Sequence, residues 1–312
     1  MSNPQLSAEQ EQQVKKLINE LVTYRPIGRE AYDEAPVYRG QRLKALEDFG
    51  RPVIPYLFPF FKDKSYQDVV KRLGGPEAED VIAFLQTPGD NEAKFNLMLY
   101  LIENKGKYQK SSSLLASLAQ IARTDIPTND PNEEALMLNQ IVANKVLAEF
   151  GDLSVKNKLA QLLDEVLTRW GQPDDKEGLL KVSTGHQLYR QCTDALGTCQ
   201  ATDVLLAQLK LVERYTRSYV LWGLQKIEDP KLFNTYLEMV DREFALGISR
   251  TQTTFSSLLR HIEDSAVSTK EKEKALKAIQ QRAKKEAPDA LKAIERSLEA
   301  VTKNKKGFLG LW

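Results

Sequence analysis

The chain is poor in the side chains that most catalytic and metal sites need. In 312 residues it has two histidines, His186 and His261, and two cysteines, Cys192 and Cys199. Two cysteines build no disulfide framework and suit a reducing compartment. Neither histidine lies in a Ser/His/Asp or Cys/His context that would activate a nucleophile. His261 follows Leu258, Leu259 and Arg260 near a predicted helix end, where an imidazole meets the last carbonyls. His186, Cys192 and Cys199 fall close enough together to suggest zinc. On one helix, however, the two thiols are separated by about 10.5 Å of rise, too far for one ion. A break at Gly197 could shorten that distance, yet no fourth ligand is evident, so both are expected to be buried structural thiols. Gly74-Gly75-Pro76 lacks the lysine of a phosphate loop and reads as a turn before a helix. The carboxylate pairs Glu133-Glu134 and Asp174-Asp175 open predicted helices, where they complement the dipole. The expectation is no enzyme, no catalytic residue, no metal and no cofactor.

Other absences narrow the class further. Lys and Arg (44) nearly cancel Asp and Glu (43), so the molecule as a whole is no obvious polyanion binder. No run approaches the roughly 20 apolar residues that span a bilayer. The opening, MSNPQLSAEQEQQ, has no apolar signal core, which makes cytoplasmic the expected location. No useful stretch alternates apolar and polar residues with β-branched enrichment, so no strands are expected.

What remains is helical punctuation. Ser7-Ala8-Glu9-Gln10 reads as a capping box opening a helix to about Val22, with Val14, Leu17, Ile18 and Leu21 on one face. Residues 24–36, with Pro26, Gly28 and Pro36, read as a loop. Residues 42–63, RLKALEDFGRPVIPYLFPFFKD, then end one helix at Gly50 and start another at Pro52. That second helix should be short or kinked, because Pro55 and Pro59 disturb interior turns. Its aromatics Tyr56, Phe58, Phe60 and Phe61 should make a local core under the 24–36 loop.

Short helices are expected at 65–73 and 76–85, and a pair at 91–102 and 112–122 with Ser111 in the N-cap run. Residues 124–132, TDIPTNDPN, are the best linker candidate and a place where the chain could subdivide. The pair 133–150 and 154–170 is the most regular. Further pairs follow at 186–196 with 201–213 around Gly197, 217–227 with 230–246, and 253–262 with 269–285, then a final helix at 289–301.

The phrase KALEDFGR at 44–51 returns as KVLAEFGD at 145–152, with a looser echo, GLQKIEDP, at 223–230. Helix, tight turn and helix, repeated, is how an α-solenoid is written. The stretches KALEDFGRPVIPYLFPFF, KVLAEFGDLSVKNKLAQLL and GLQKIEDPKLFNTYLEMV resemble HEAT repeats, and Leu162-Leu163 and Leu205-Leu206 fit their second helices. The turns are unevenly spaced, and residues 64–130 match the pattern poorly. The resemblance implies an all-α, right-handed solenoid of antiparallel hairpins over residues 1–302, irregular in 64–130. It also implies a scaffold or adaptor that holds a protein partner on concave second helices. Polar positions expected to be exposed there are Lys158, Gln161, Gln208, Lys210, Asn234 and Glu238.

Two rival readings come from HEAT-like relatives. Some DNA glycosylases are built this way, and residues 270–306 hold twelve Lys or Arg against six Asp or Glu. Against nucleic acid, Trp222 falls on a predicted first helix and Trp170 closes a helix beside Gly171. A role like that of phycobiliprotein lyases is the remote alternative. The tail is a separate feature: after a basic spacer with Lys303, Lys305 and Lys306, the residues Phe308, Leu309, Leu311 and Trp312 need a docking site. They can cap the last hairpin, dock on a partner, or insert shallowly at an anionic membrane.

Overall fold

A computed structural model describes residues 5–26, 29–127, 130–170, 184–211, 214–248 and 252–309. Seventeen α-helices and no strand occur among the described residues, so the all-helical expectation holds. No helix there is long and apolar enough to cross a membrane. The chain forms two compact units, Met1–Asp152 and Leu153–Trp312.

In the first unit, α1 (Ala8–Thr23) opens with the expected capping box. The Gln10 amide donates to Ser7 Oγ at 3.2 Å, and the Ser7 amide donates to Gln10 Oε1 at 2.9 Å. Val14, Ile18 and Leu21 are buried from α1, which packs on α2 (Arg29–Glu47). Helix α2 takes in most of the stretch expected to be a loop, with Pro36 inside it. The run REAYDEA is made of helix formers, and Pro36 sits on an exposed face where its missing amide costs least.

The proline-rich stretch resolves into three short turns: a 3₁₀ turn at Arg51–Val53, α3 (Ile54–Leu57) and a 3₁₀ turn at Phe58–Phe60. Each proline stands at the start of a turn, where no N–H is needed. Phe58 and Phe61 are fully buried. They pack 5.2 Å from Phe84 and 5.4 Å from Tyr100, on α5 (Ala78–Gln86) and α6 (Asn91–Glu103).

Between them lies α4 (Lys64–Arg72), capped by Asp63, and α6 is followed by the single turn α7 (Lys105–Tyr108). Helix α8 (Ser112–Arg123) starts at Ser111, whose Oγ accepts from Leu114 at 3.4 Å as expected. The helices at 91–102 and 112–122 do not make the expected hairpin their main contact: α6 packs chiefly on α9 (Glu133–Glu149), and α8 on α5 and α9. The helices on either side of 124–132, α8 and α9, pack on each other within the first unit. Their anchor is Gln140, whose amide donates to Ala122 O at 3.1 Å and Thr124 O at 2.9 Å, closing the end of α8. Helix α9 ends at Gly151, φ +102°, with Gly151 N bonded to Ala148 O and Asp152 N to Leu147 O.

In the second unit, a 3₁₀ turn (Leu153–Val155) leads into α10 (Lys156–Trp170). Then come α11 (Thr184–Thr198), α12 (Thr202–Leu211), α13 (Arg214–Gln225), α14 (Leu232–Leu246), α15 (Gln252–Asp264), α16 (Thr269–Glu286) and α17 (Leu291–Leu309). The register of pairing differs from the expected one. The main pairs are α10 with α11, α12 with α13, α14 with α15 and α16 with α17. Further, α11 packs on α13, α13 on α15 and α15 on α17. The even helices touch their even neighbours far less; ion pairs reach across, Lys156–Asp203 (2.7 Å) from α10 to α12 and Arg282–Asp241 (2.7 Å) from α14 to α16.

Two glycines let α11 and α13 approach closely. A Cβ added at Gly197 would lie 2.2 Å from Gly223 O, and one at Gly223 would lie 2.4 Å from Thr193 O. Gly197 is thus inside a helix, not at a turn. The turn falls three residues later, where Gln200 takes φ +56° and the amides of Gln200 and Ala201 bond Gly197 O and Leu196 O at 3.0 Å.

Candidate functional site

The predicted partner-binding positions lie on α10, α12 and α14, the row with little direct packing between helices. Gln161, Lys210, Asn234 and Glu238 are exposed, and Lys158 is half-buried. Gln208 is not on the surface: it is 7% exposed, and its Oε1 accepts a 3.2 Å hydrogen bond from Tyr189 of α11. Position 208 falls between Leu205 and Leu209 on the apolar stripe of α12, so its polarity serves a buried tyrosine.

In the tail, α17 continues past Val301 to Leu309 and carries the backbone of Lys303, Lys305, Lys306, Phe308 and Leu309. Leu311 and Trp312 lie outside the described residues, as do Gly171 and Asp174-Asp175. Cys192 and Cys199 are both buried and in no disulfide, as expected, and burial pushes the Cys192 thiol up. Among the described residues, no group of three or more His, Cys, Asp or Glu is placed to hold a metal ion.

A partly exposed aromatic face lies on the odd row. Along α13, Val220, Leu221 and Leu224 are buried, and the helical period turns Tyr219, Trp222 and Lys226 to the other side. Trp222 is 40% exposed, unusual for so large an apolar side chain. It is held in place by its neighbours. Tyr219 lies 5.6 Å away and the Arg190 guanidinium of α11 stands 5.5 Å over its ring. His186, one turn before Arg190, meets Tyr219 edge-on at 6.1 Å. At the two edges, Lys226 pairs with Asp194 of α11 at 2.8 Å, and Gln225 bonds Asp264 of α15 at 2.8 Å.

The helices beneath this face are closely packed. The Gly197–Gly223 approach locks α11 to α13. Arg217 of α13 is 2% exposed and pairs with the fully buried Glu243 of α14 at 2.6 Å. The result is an aromatic-and-arginine patch on a closely packed two-helix base.

Sequence reasoning placed Trp222 on the wrong member of its pair and so passed over it. The signal that marks it is local: an indole about 150° around the helix from the centre of the Val220/Leu221/Leu224 stripe has no core to enter. Compared with known proteins, the chain matches no family model, no curated protein and no solved structure.

Proposed function

We propose that the chain is a non-catalytic HEAT-like scaffold whose second unit binds a protein partner on the α11–α13–α15 face, with Trp222 as the anchor. The observation that carries this reading is the half-exposed Trp222 braced by Tyr219 and Arg190. Tryptophan, tyrosine and arginine are the side chains that dominate binding energy at protein interfaces. The packing pattern supports it. In a curved stack of helix pairs, the row whose members touch most closely lies on the inner side, and here that row is α11, α13, α15 and α17. The concave surface is then the odd row, not the α10–α12–α14 row that holds Lys210, Asn234 and Glu238.

Affinity capture from the native cell, with the partner identified by mass spectrometry, tests this. Trp222→Ala should abolish capture of a specific protein while leaving the helical signal intact. Lys210→Glu with Glu238→Lys should leave it unchanged, and the reverse pattern would overturn the assignment.

The nucleic-acid reading has one observation in its favour. Lys270, Lys274, Lys277, Lys284 and Lys285 are exposed along one side of α16. Oligonucleotide affinity that falls steeply with salt, and falls further when three of these become glutamine, would favour it over the protein scaffold.

A further inference from the structure

The first unit contains a groove that the scaffold reading does not use. It has a volume of about 690 Å³ and lies where the end of α1 meets α2, the Phe58–Phe60 turn and the start of α4. That size suits a small organic molecule rather than a water or an ion.

One wall is a fixed aromatic stack. The Tyr38 ring lies 4.2 Å from the Tyr24 ring at 17°, and its centroid is 4.2 Å from the Arg42 guanidinium. Arg42 in turn is tied to Glu20 of α1 at 3.1 Å, so the stack is braced from both helices. The floor is apolar: Leu21 and Tyr66 are buried, and Phe60 lies 5.4 Å from Tyr66. Pro26, Ala35, Pro36 and the exposed Val22 extend this surface to the rim.

The charges are unequal. Three cations, Arg25, Arg39 and Lys62, face one carboxylate, Asp63. Arg39 and Asp63 pair with each other. Asp63 also accepts the Ser65 amide at 2.9 Å, which keeps it committed to capping α4. Arg25 donates one nitrogen to Val22 O and Tyr24 O, at 2.9 and 3.0 Å, and meets no carboxylate among the described residues. Lys62 reaches Glu92 at 3.5 Å, a solvent-exposed pair outside the groove lining and weak for that reason. The lining therefore carries two positive charges beside an aromatic wall.

We propose that this groove binds a small organic anion bearing a flat ring system. The ring lies against Tyr24 and the Phe60/Tyr66 floor, and the acidic group meets Arg25 and Lys62. A neutral ring forgoes the charge contact and a bare anion forgoes the apolar surface, so each half alone binds poorly.

Titration of the full chain with 8-anilinonaphthalene-1-sulfonate, adenosine monophosphate, adenosine and inorganic phosphate tests the proposal. The two ring-bearing anions should bind and compete with each other, and adenosine and phosphate should bind about tenfold more weakly or worse. Arg25→Gln with Lys62→Gln should weaken the ring-bearing anions about tenfold, with circular dichroism unchanged because both side chains are exposed. Tyr24→Ala should weaken them as well. The proposal is overturned if neither ring-bearing anion binds at about 1 mM, if adenosine binds as tightly as its phosphate, or if the charge variants bind as the natural chain does.

Discussion

Replacing Gly197 by alanine puts one methyl group into the close contact between α11 and α13. The new carbon would lie 2.2 Å from Gly223 O and 2.8 Å from Gly223 C and Cα. All three are backbone atoms of a neighbouring helix, so no rotamer change relieves the clash; α11 and α13 must separate by about 1 Å. Overpacking of this kind costs about 1–3 kcal/mol, and a backbone obstacle belongs at the upper end. Alanine recovers about 1 kcal/mol of helix propensity over glycine, leaving a net loss of roughly 2 kcal/mol. For a body of this size that is about 4–8 °C in Tm. Gly223→Ala should behave alike, and because one separation relieves both clashes, the double variant should cost less than the two single losses together. Gly40 supplies the control: it lies within α2 with nothing within 4 Å of a Cβ, so Gly40→Ala should be neutral or stabilise by up to about 1 kcal/mol. Thermal melts, with amide exchange resolved over 184–198 and 214–225, read all four proteins. If Gly197→Ala raised Tm as Gly40→Ala does, the close helix contact would be refuted.

Two further outcomes follow from the interior of the second unit, and one from its surface. His261 is 2% exposed with both ring nitrogens unbonded, 5.3 Å from the Tyr236 ring, and burial pushes its pKa down to about 4. The unfolded chain takes up that proton near pH 6.5 and the folded one does not. Stability should therefore fall as pH drops from about 6.5 to about 4 and stay level in this respect below, a loss on the order of 3 kcal/mol that His261→Phe removes. Denaturant titrations at pH 7, 5.5 and 4 measure it, and equal slopes with pH for both proteins would refute it. Glu243→Ala breaks the buried 2.6 Å ion pair with Arg217 and should cost about 3 kcal/mol, whereas Arg217→Met with Glu243→Leu should cost less. Equal losses in urea unfolding would mean that packing, not charge, governs the site. Arg190→Ala should leave Tm within about 1 °C, as befits an exposed side chain, yet weaken partner capture through a less ordered Trp222.

The parts of this molecule that were legible in its sequence are the ones decided locally. Ser7 and Gln10 contact nothing distant to form a capping box, and the same holds for Ser111 and for the Gly151 stop. Gly197 looked like another stop and was not. A glycine admits a left-handed turn and a close helix approach equally well, and only the partner Gly223, from the next helix of the odd row, decides between them. Pairing was misread for the same reason: hairpins were inferred from turn strength, while packing joined α12 to α13 and α14 to α15. Gln208 looked exposed because it is polar, and its partner Tyr189 belongs to another helix. Pro36 reads as part of a loop before a helix, yet the flanking residues and an exposed position let α2 run through it. For the candidate sites, Trp222 was visible as an indole off its helix's apolar stripe. The groove beside Tyr38 was not, because it depends on how α1, α2 and α4 converge.

The most direct test of the scaffold account is hydrogen exchange on the full chain with and without its purified partner. The account predicts new protection concentrated in 184–198 and 214–225, around Arg190 and Trp222, with 202–211 and 232–246 little changed. Protection confined to 202–211 and 232–246 would contradict it.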